Sequence, residues 1–248
     1  MEPGSGPAEP STPEVTAVPR QRWRLILSRD AGPETLTGRD LIAAWEAALD
    51  VSGLPLHRPI GKSRARIALG APVLATIALE RELADIVLTE LCPAWAVRDG
   101  LVGAVPAGWH LIEIEDVWLG APALAGQVAA ADYRIELGDA DAETVARAAA
   151  EVLACASLPR ERMKAGAPVP YDLRPLLVEV EVADAGPPVA VRTRTRFDPV
   201  LGTGRPEEVV AAVAEAAGRD LVIGVVVRER LILADEMADE QSSVATPD

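Results

Sequence analysis

Residues 57–66 read HRPIGKSRAR, and Gly61-Lys62-Ser63 has the look of the phosphate-cradling end of a P-loop. Two tests decide against it. A P-loop carries a glycine five positions before its Gly-Lys pair, and here that position is Leu56. It also runs from a strand into a helix, so that the helix N-terminus faces the phosphates. Here a helical pattern precedes the loop and a β-like pattern follows. What remains is charge: Arg58, Lys62, Arg64 and Arg66 lie within ten residues that contain no acid. Guanidinium forks and ammonium point charges suit phosphate oxygens. The competing expectation is a solvated turn whose alternate arginines point outward and deter edge pairing.

Two further basic groups follow. Arg160, Arg162 and Lys164 form one, diluted by Glu161. Arg192, Arg194 and Arg196 recur at period two, which puts them on one face of a strand, expected to be a solvent-facing sheet surface. That face has no aromatic residue for bases to stack on, so aromatic-platform RNA recognition is not expected there.

Conventional catalytic groups are sparse. His57 and His110 are the two histidines; His57 is a weak candidate general base, and His110 has no carboxylate at metal-ligand spacing. Ser28, Ser63 and Ser157 have no assignable histidine or aspartate partner. Cys92 and Cys155 form no CxxC and are expected to be buried free thiols. No metal site and no cofactor are expected.

These residues need a scaffold, and the bulk sequence allows one. At 248 residues and 49% hydrophobic content, the chain can build a sizeable core. With 3% aromatics, that core must be mostly Ala, Val, Leu and Ile. A net charge of −14 disfavours non-specific adhesion to nucleic acid or anionic membrane, but it leaves room for a local basic groove. Residues 1–21 are Pro-, Ser- and Glu-rich, lack a signal-peptide core, and are expected to be a disordered leader. Residues 235–248 carry five acids and no base and are expected to be a disordered tail. No apolar run reaches membrane-spanning length, so a soluble cytoplasmic protein is expected.

Between these ends the pattern reads as two α+β units, 22–118 and 131–234, joined by a Gly/Ala-rich linker at 119–130. WRLILS (23–28) alternates as a strand. Thr37 opens a helix with Asp40 three residues on, and Leu41, Ala44, Trp45, Ala48 and Leu49 form its apolar face. Strands follow at 65–73 and 84–91, a helix over 94–105, and a strand at 109–117. The second unit repeats the order: strand 133–137, helix 142–156, basic loop 160–170, hairpin strands 176–182 and 189–197, a helix opened by Pro206, and strand 221–227. The order βαββαβ, twice, predicts tandem ferredoxin-like units.

TGRDLIAAWEAALDVSGLPLHRPIG (37–61), ADIVLTEL (84–91), VPAGWHLIEIEDV (105–117), YDLRPLL (171–177) and RPEEVV (205–210) resemble a divergent member of the radical-SAM-linked proteins. These are chains or domains found beside a radical SAM enzyme with a cobalamin-binding domain. The family usually has Ser-His-Leu-Asp where this chain has Thr37-Gly38-Arg39-Asp40. It usually has Ser-Gln-Gly-Phe where this chain has Pro59-Ile60-Gly61-Lys62. The resemblance implies a non-catalytic accessory module that helps a radical SAM partner recognise its substrate. RNA is the candidate substrate, met by the loops Arg58–Arg66 and Arg160–Lys164; DNA and membrane are not expected partners. The alternatives are a protein-interaction module with acidic partners, and an endoribonuclease using His57, since the tandem order also resembles CRISPR repeat-processing nucleases.

Overall fold

The computed structural model describes residues 17–33, 35–164 and 166–244. The leader expected over 1–21 lies mostly outside these residues; from Arg20, whose N–H donates to the Leu88 carbonyl, the chain is in the sheet. In chain order the elements are β1 (Gln21–Arg29), α1 (Gly38–Val51), β2 (Ala68–Leu69), β3 (Ala78–Leu88), α2 (Ala94–Val102), β4 (Trp109–Val117) and β5 (Val128–Gly138). Then come α3 (Ala142–Ala154), β6 (Pro159–Lys164), β7 (Ala167–Asp172), β8 (Leu177–Asp184), β9 (Val189–Asp198) and β10 (Gly202–Thr203). The last are α4 (Pro206–Ala217), β11 (Val222–Leu233) and α5 (Ala234–Val244). Among the described residues no helix is long and apolar enough to cross a membrane.

The class is mixed α+β, built on one large, mostly antiparallel sheet of nine strands. In its first half β4, β1, β3 and β2 lie side by side, all antiparallel. In the second half the order is β11, β5, β9 and β8, again antiparallel. The halves join edge to edge where β11 runs parallel to β3, with Val227 opposite Ala78 and Arg230 opposite Arg81. This seam explains why the strand expected over 65–73 shrinks to two residues. β2 pairs only with Asp85 and Ala84, because β11 takes that edge of β3 at Ala78–Arg81 and the chain at Leu56–His57 takes it at Val87 and Leu88.

One face of the sheet buries the core. Trp23, Leu25, Leu27, Tyr133, Ile135 and Leu137 project from it into a single apolar cluster that includes buried positions of α1 to α4. The expected capping box opens α1: Thr37 Oγ1 accepts from the Asp40 N–H, and the Asp40 carboxylate accepts from the Thr37 N–H at 2.8 Å. Its apolar stripe places Leu41, Trp45, Ala48 and Leu49 against the sheet. In α3 the cap is Asp141, which accepts from the Thr144 N–H at 2.8 Å.

The opposite face overturns two expectations. The acidic stretch read as a disordered tail forms α5 through Val244; only 245–248 lie outside the described residues. Met237 anchors it by packing on Ala130 and Ile232. The arginine stripe of β9 is therefore not an open surface. Arg194 bonds to Asp132 at 2.7 Å and to Glu240 of α5, Arg230 bonds to both acids, and Arg192 bonds to Glu229 at 2.8 Å. Spacing along one strand places these charges on a face, whereas the fold pairs them across strands. Cys155 is exposed at the end of α3 and Cys92 is half-buried ahead of α2, so neither is a core thiol.

Burial pushes the Asp132 carboxyl upward, but hydrogen bonds and charge from Arg194 and Arg230 outweigh it and hold the group below the usual carboxylate range. A carboxylate depressed in the folded state stabilises above its unfolded pKa, and that contribution vanishes as pH falls through the folded value. The stability difference between wild type and Asp132→Asn should therefore close as pH drops below about 4. Thermal melts across pH 2–7 check this; a gap that persists at acid pH would assign it to packing instead.

Candidate functional site

The basic loop is set by its anchors. Ser52 ends α1 by donating its N–H and its hydroxyl to the Leu49 carbonyl. The chain then pairs with the end of β3: the His57 N–H donates to the Val87 carbonyl at 2.8 Å, and the Thr89 N–H to the Pro55 carbonyl at 2.8 Å. Next comes a turn in which the Lys62 N–H donates to the Pro59 carbonyl at 2.9 Å. Its third residue, Gly61, has φ +72°, the left-handed geometry that such a turn asks of glycine. Beyond it the chain is extended. Ala65 and Ile67 point into the core, so Arg64 and Arg66 point out.

Arg58, Lys62, Arg64 and Arg66 are all exposed. Asp50, in the last turn of α1, lies 3.3 Å from Arg58 and 3.8 Å from Arg64. Among the described residues Lys62 and Arg66 have no carboxylate within ion-pair reach. One carboxylate thus faces two of four cations, and exposed pairs of this kind contribute little.

Beside the loop lies a cleft of about 800 Å³ on the face opposite α1 and α2. Arg22, Asp85 and Val87 of β1 and β3 form its floor, His57, Pro59 and Arg66 one wall, and Leu119, Ala123 and Leu124 the other. The floor is internally satisfied. Asp85 accepts from Arg22 Nε at 2.8 Å and from Arg24 Nε at 3.0 Å, with all three residues buried. Arg22 also donates to the Ala121 and Pro122 carbonyls at 2.8 and 3.0 Å, strapping the segment between β4 and β5 over the sheet. A second depression of about 340 Å³ is lined by Glu46, Lys62, Ser63, Arg64 and Arg66, so Arg66 borders both.

Arg160 and Arg162 of the second basic group are elsewhere and are engaged. The stretch expected to be a basic loop is instead mostly strand: β6 and β7 pair as a hairpin that stands apart from the large sheet. Arg160 pairs with Glu215 of α4 at 3.0 Å. Arg162 stacks with its guanidinium carbon 5.1 Å from the Tyr171 ring centre, over Gly202, where a Cβ would lie 2.2 Å from its Nη1. The Tyr171 hydroxyl donates to the Glu208 carboxylate; burial and that bond push the phenol above its ordinary pKa. Lys164 closes β6 opposite Ala167. Neither Arg160 nor Arg162 lines the cleft.

His110 Nε2 is 3.6 Å from Asp30, both exposed. Among the described residues no group of three or more His, Cys, Asp and Glu side chains could hold a metal ion. The sequence reading missed Arg22, Arg24, Asp85, Leu119 and Leu124. The signal for the first three was there: charges flanking Trp23 and an aspartate inside ADIVL put ionisable groups in apolar strands, where they persist only if paired.

Residues 24–209, three-quarters of the chain, match a family described as an uncharacterized protein conserved in bacteria (DUF2344). No curated protein matches the sequence. A chain in the crystal structure of a Cbf5-Nop10-Gar1 complex aligns with 84% of this chain at 11% identity and a TM-score of 0.49. This chain spans 48% of that one, about half its length.

Proposed function

We propose that this chain, which belongs to the bacterial DUF2344 family, is a non-catalytic recognition module that contacts RNA through the loop 57–66. It does so on behalf of a radical SAM partner. The observation that carries the RNA contact is local charge: four exposed cations served by one carboxylate, in a chain of net charge −14. Two of them, Lys62 and Arg66, are free to take phosphate oxygens. The radical SAM partner rests on the resemblance of 37–61, 84–91 and 105–117. We also read each half as a ferredoxin-like unit. The strand orders β4-β1-β3-β2 and β11-β5-β9-β8, each with two helices on one face, support it.

Filter binding of single-stranded RNA over a salt series tests the contact. The slope of log K against log[salt] should be about −0.7 per phosphate engaged. Lys62→Glu with Arg66→Glu should weaken binding at least tenfold, whereas Arg160→Glu should change it little, since Arg160 already serves Glu215. Absence of binding at low salt would remove the RNA reading and leave the loop as a docking surface for an acidic protein. Co-purification of a radical SAM protein tests the partner separately.

A further inference from the structure

We infer that the cleft beside the loop seats the base of one unpaired nucleotide while its phosphate occupies the neighbouring basic depression. The inference rests on the RNA-contact reading of the same loop and assigns it a ligand class: a nucleoside phosphate. The cleft volume of about 800 Å³ falls in the range of small-molecule sites. Val87, Pro59, Leu119, Ala123 and Leu124 give it an aliphatic lining. The Arg22–Asp85 pair below is saturated by its own hydrogen bonds and strap contacts, so an apolar ring entering the cleft strands no charge on the floor. The His57 ring is half-buried at the wall, and among the described residues its ring nitrogens have no hydrogen-bond partner. It can face a base and meet its polar edge.

Arg66 connects the two depressions. It borders the aliphatic cleft on one side and, on the other, the hollow where Lys62, Ser63 and Arg64 converge. Two guanidinium groups, an ammonium and a hydroxyl supply more donors than Glu46, which also lines the hollow, and Asp50, which pairs with Arg64, can use, and they fit the several oxygens of a phosphate. A planar, weakly polar body joined to a phosphate is therefore the ligand whose two parts match both hollows. An acidic peptide matches only the second.

The test uses the full chain and a short single-stranded RNA carrying one 2-aminopurine. Binding should raise its fluorescence as the base leaves its stacked neighbours. The same oligonucleotide with an abasic residue at that position should bind about fivefold or more weakly, the low end of one base's contribution. Leu119→Trp, at an exposed wall position, should remove the fluorescence change and lower affinity for intact RNA to the abasic level. Competition by free adenosine monophosphate would show that a mononucleotide suffices; competition only by longer RNA would assign the site to a residue within a strand. If RNA binds, and Lys62→Glu with Arg66→Glu abolishes binding, but the abasic substitution and Leu119→Trp change nothing, the base site is overturned and the RNA contact stands. If wild type binds no RNA, both are overturned.

Discussion

Arg228→Leu is expected to cost about 3–5 kcal/mol of unfolding free energy, the scale for removing one partner of a buried ion pair. Arg228 sits on β11 and Glu82 on β3, with side chains 3% and 0% exposed, and they meet across the seam between the two halves. Arg228 also donates to the Pro72 carbonyl at 3.1 Å. One oxygen of Glu82, Oε1, is buried without a hydrogen-bond partner among the described residues, so Arg228 is the principal group that holds the charge there. Burial already raises the Glu82 pKa, and the Arg228 charge opposes that rise. Without Arg228 the carboxyl must take up a proton to stay buried. An acid whose folded pKa is raised loses stability as pH rises above its unfolded value. The penalty should therefore grow from pH 5 to pH 8 in urea titrations. Adding Glu82→Leu should recover most of it and abolish the pH dependence. A single variant within 1 kcal/mol of wild type would show that the seam is held by the strand pairing alone.

Trp45→Ala should cost a similar amount, about 3–5 kcal/mol. Trp45 is fully buried on the inner face of α1 and meets Trp109 edge to face, with ring centres 5.4 Å apart at 73°. The Arg29 guanidinium lies over Trp109 at 5.8 Å, so the void left by alanine would undercut a stack of three side chains. Trp45→Phe is the informative companion. It keeps most of the ring, and it removes an indole N–H that is buried without a partner among the described residues. Its cost should be well under half that of alanine by chemical denaturation. Equal losses in the two variants would mean that ring shape, rather than volume, sets the packing.

The parts of the fold that follow from short-range rules were legible. The Thr37/Asp40 box, the Leu41–Leu49 stripe of α1, the Asp141 cap and the alternation of β1 all rest on residues within a few positions of one another. What failed was long-range. Nothing near residue 68 announces that residues 227–230 will take the edge of β3, so β2 was overdrawn. Nothing in the composition of 235–244 announces that Glu240 faces arginines on β9 and β11 and that Met237 has an apolar seat, so the pattern predicts a tail where α5 forms. At the candidate site the loop cations were legible as a charge run. The cleft was not, because its far wall comes from the segment between β4 and β5, strapped down by Arg22.

The seam also has a consequence for biosynthesis. β11 ends at Leu233, yet it lies in the middle of the sheet, between β5 and β3. As the chain emerges from the ribosome, β3 is complete by residue 88 and its second half pairs at once with Leu56–His57 and β2, but its first residues, Ala78 to Glu82, have no partner on that edge until about 145 further residues have been made. At about 5–20 residues per second, that is an interval of roughly 7–30 s during which an unpaired strand is open to other nascent chains. Arg81 and Glu82 both lie on the exposed stretch, and their charges would act as gatekeepers against edge pairing until β11 arrives.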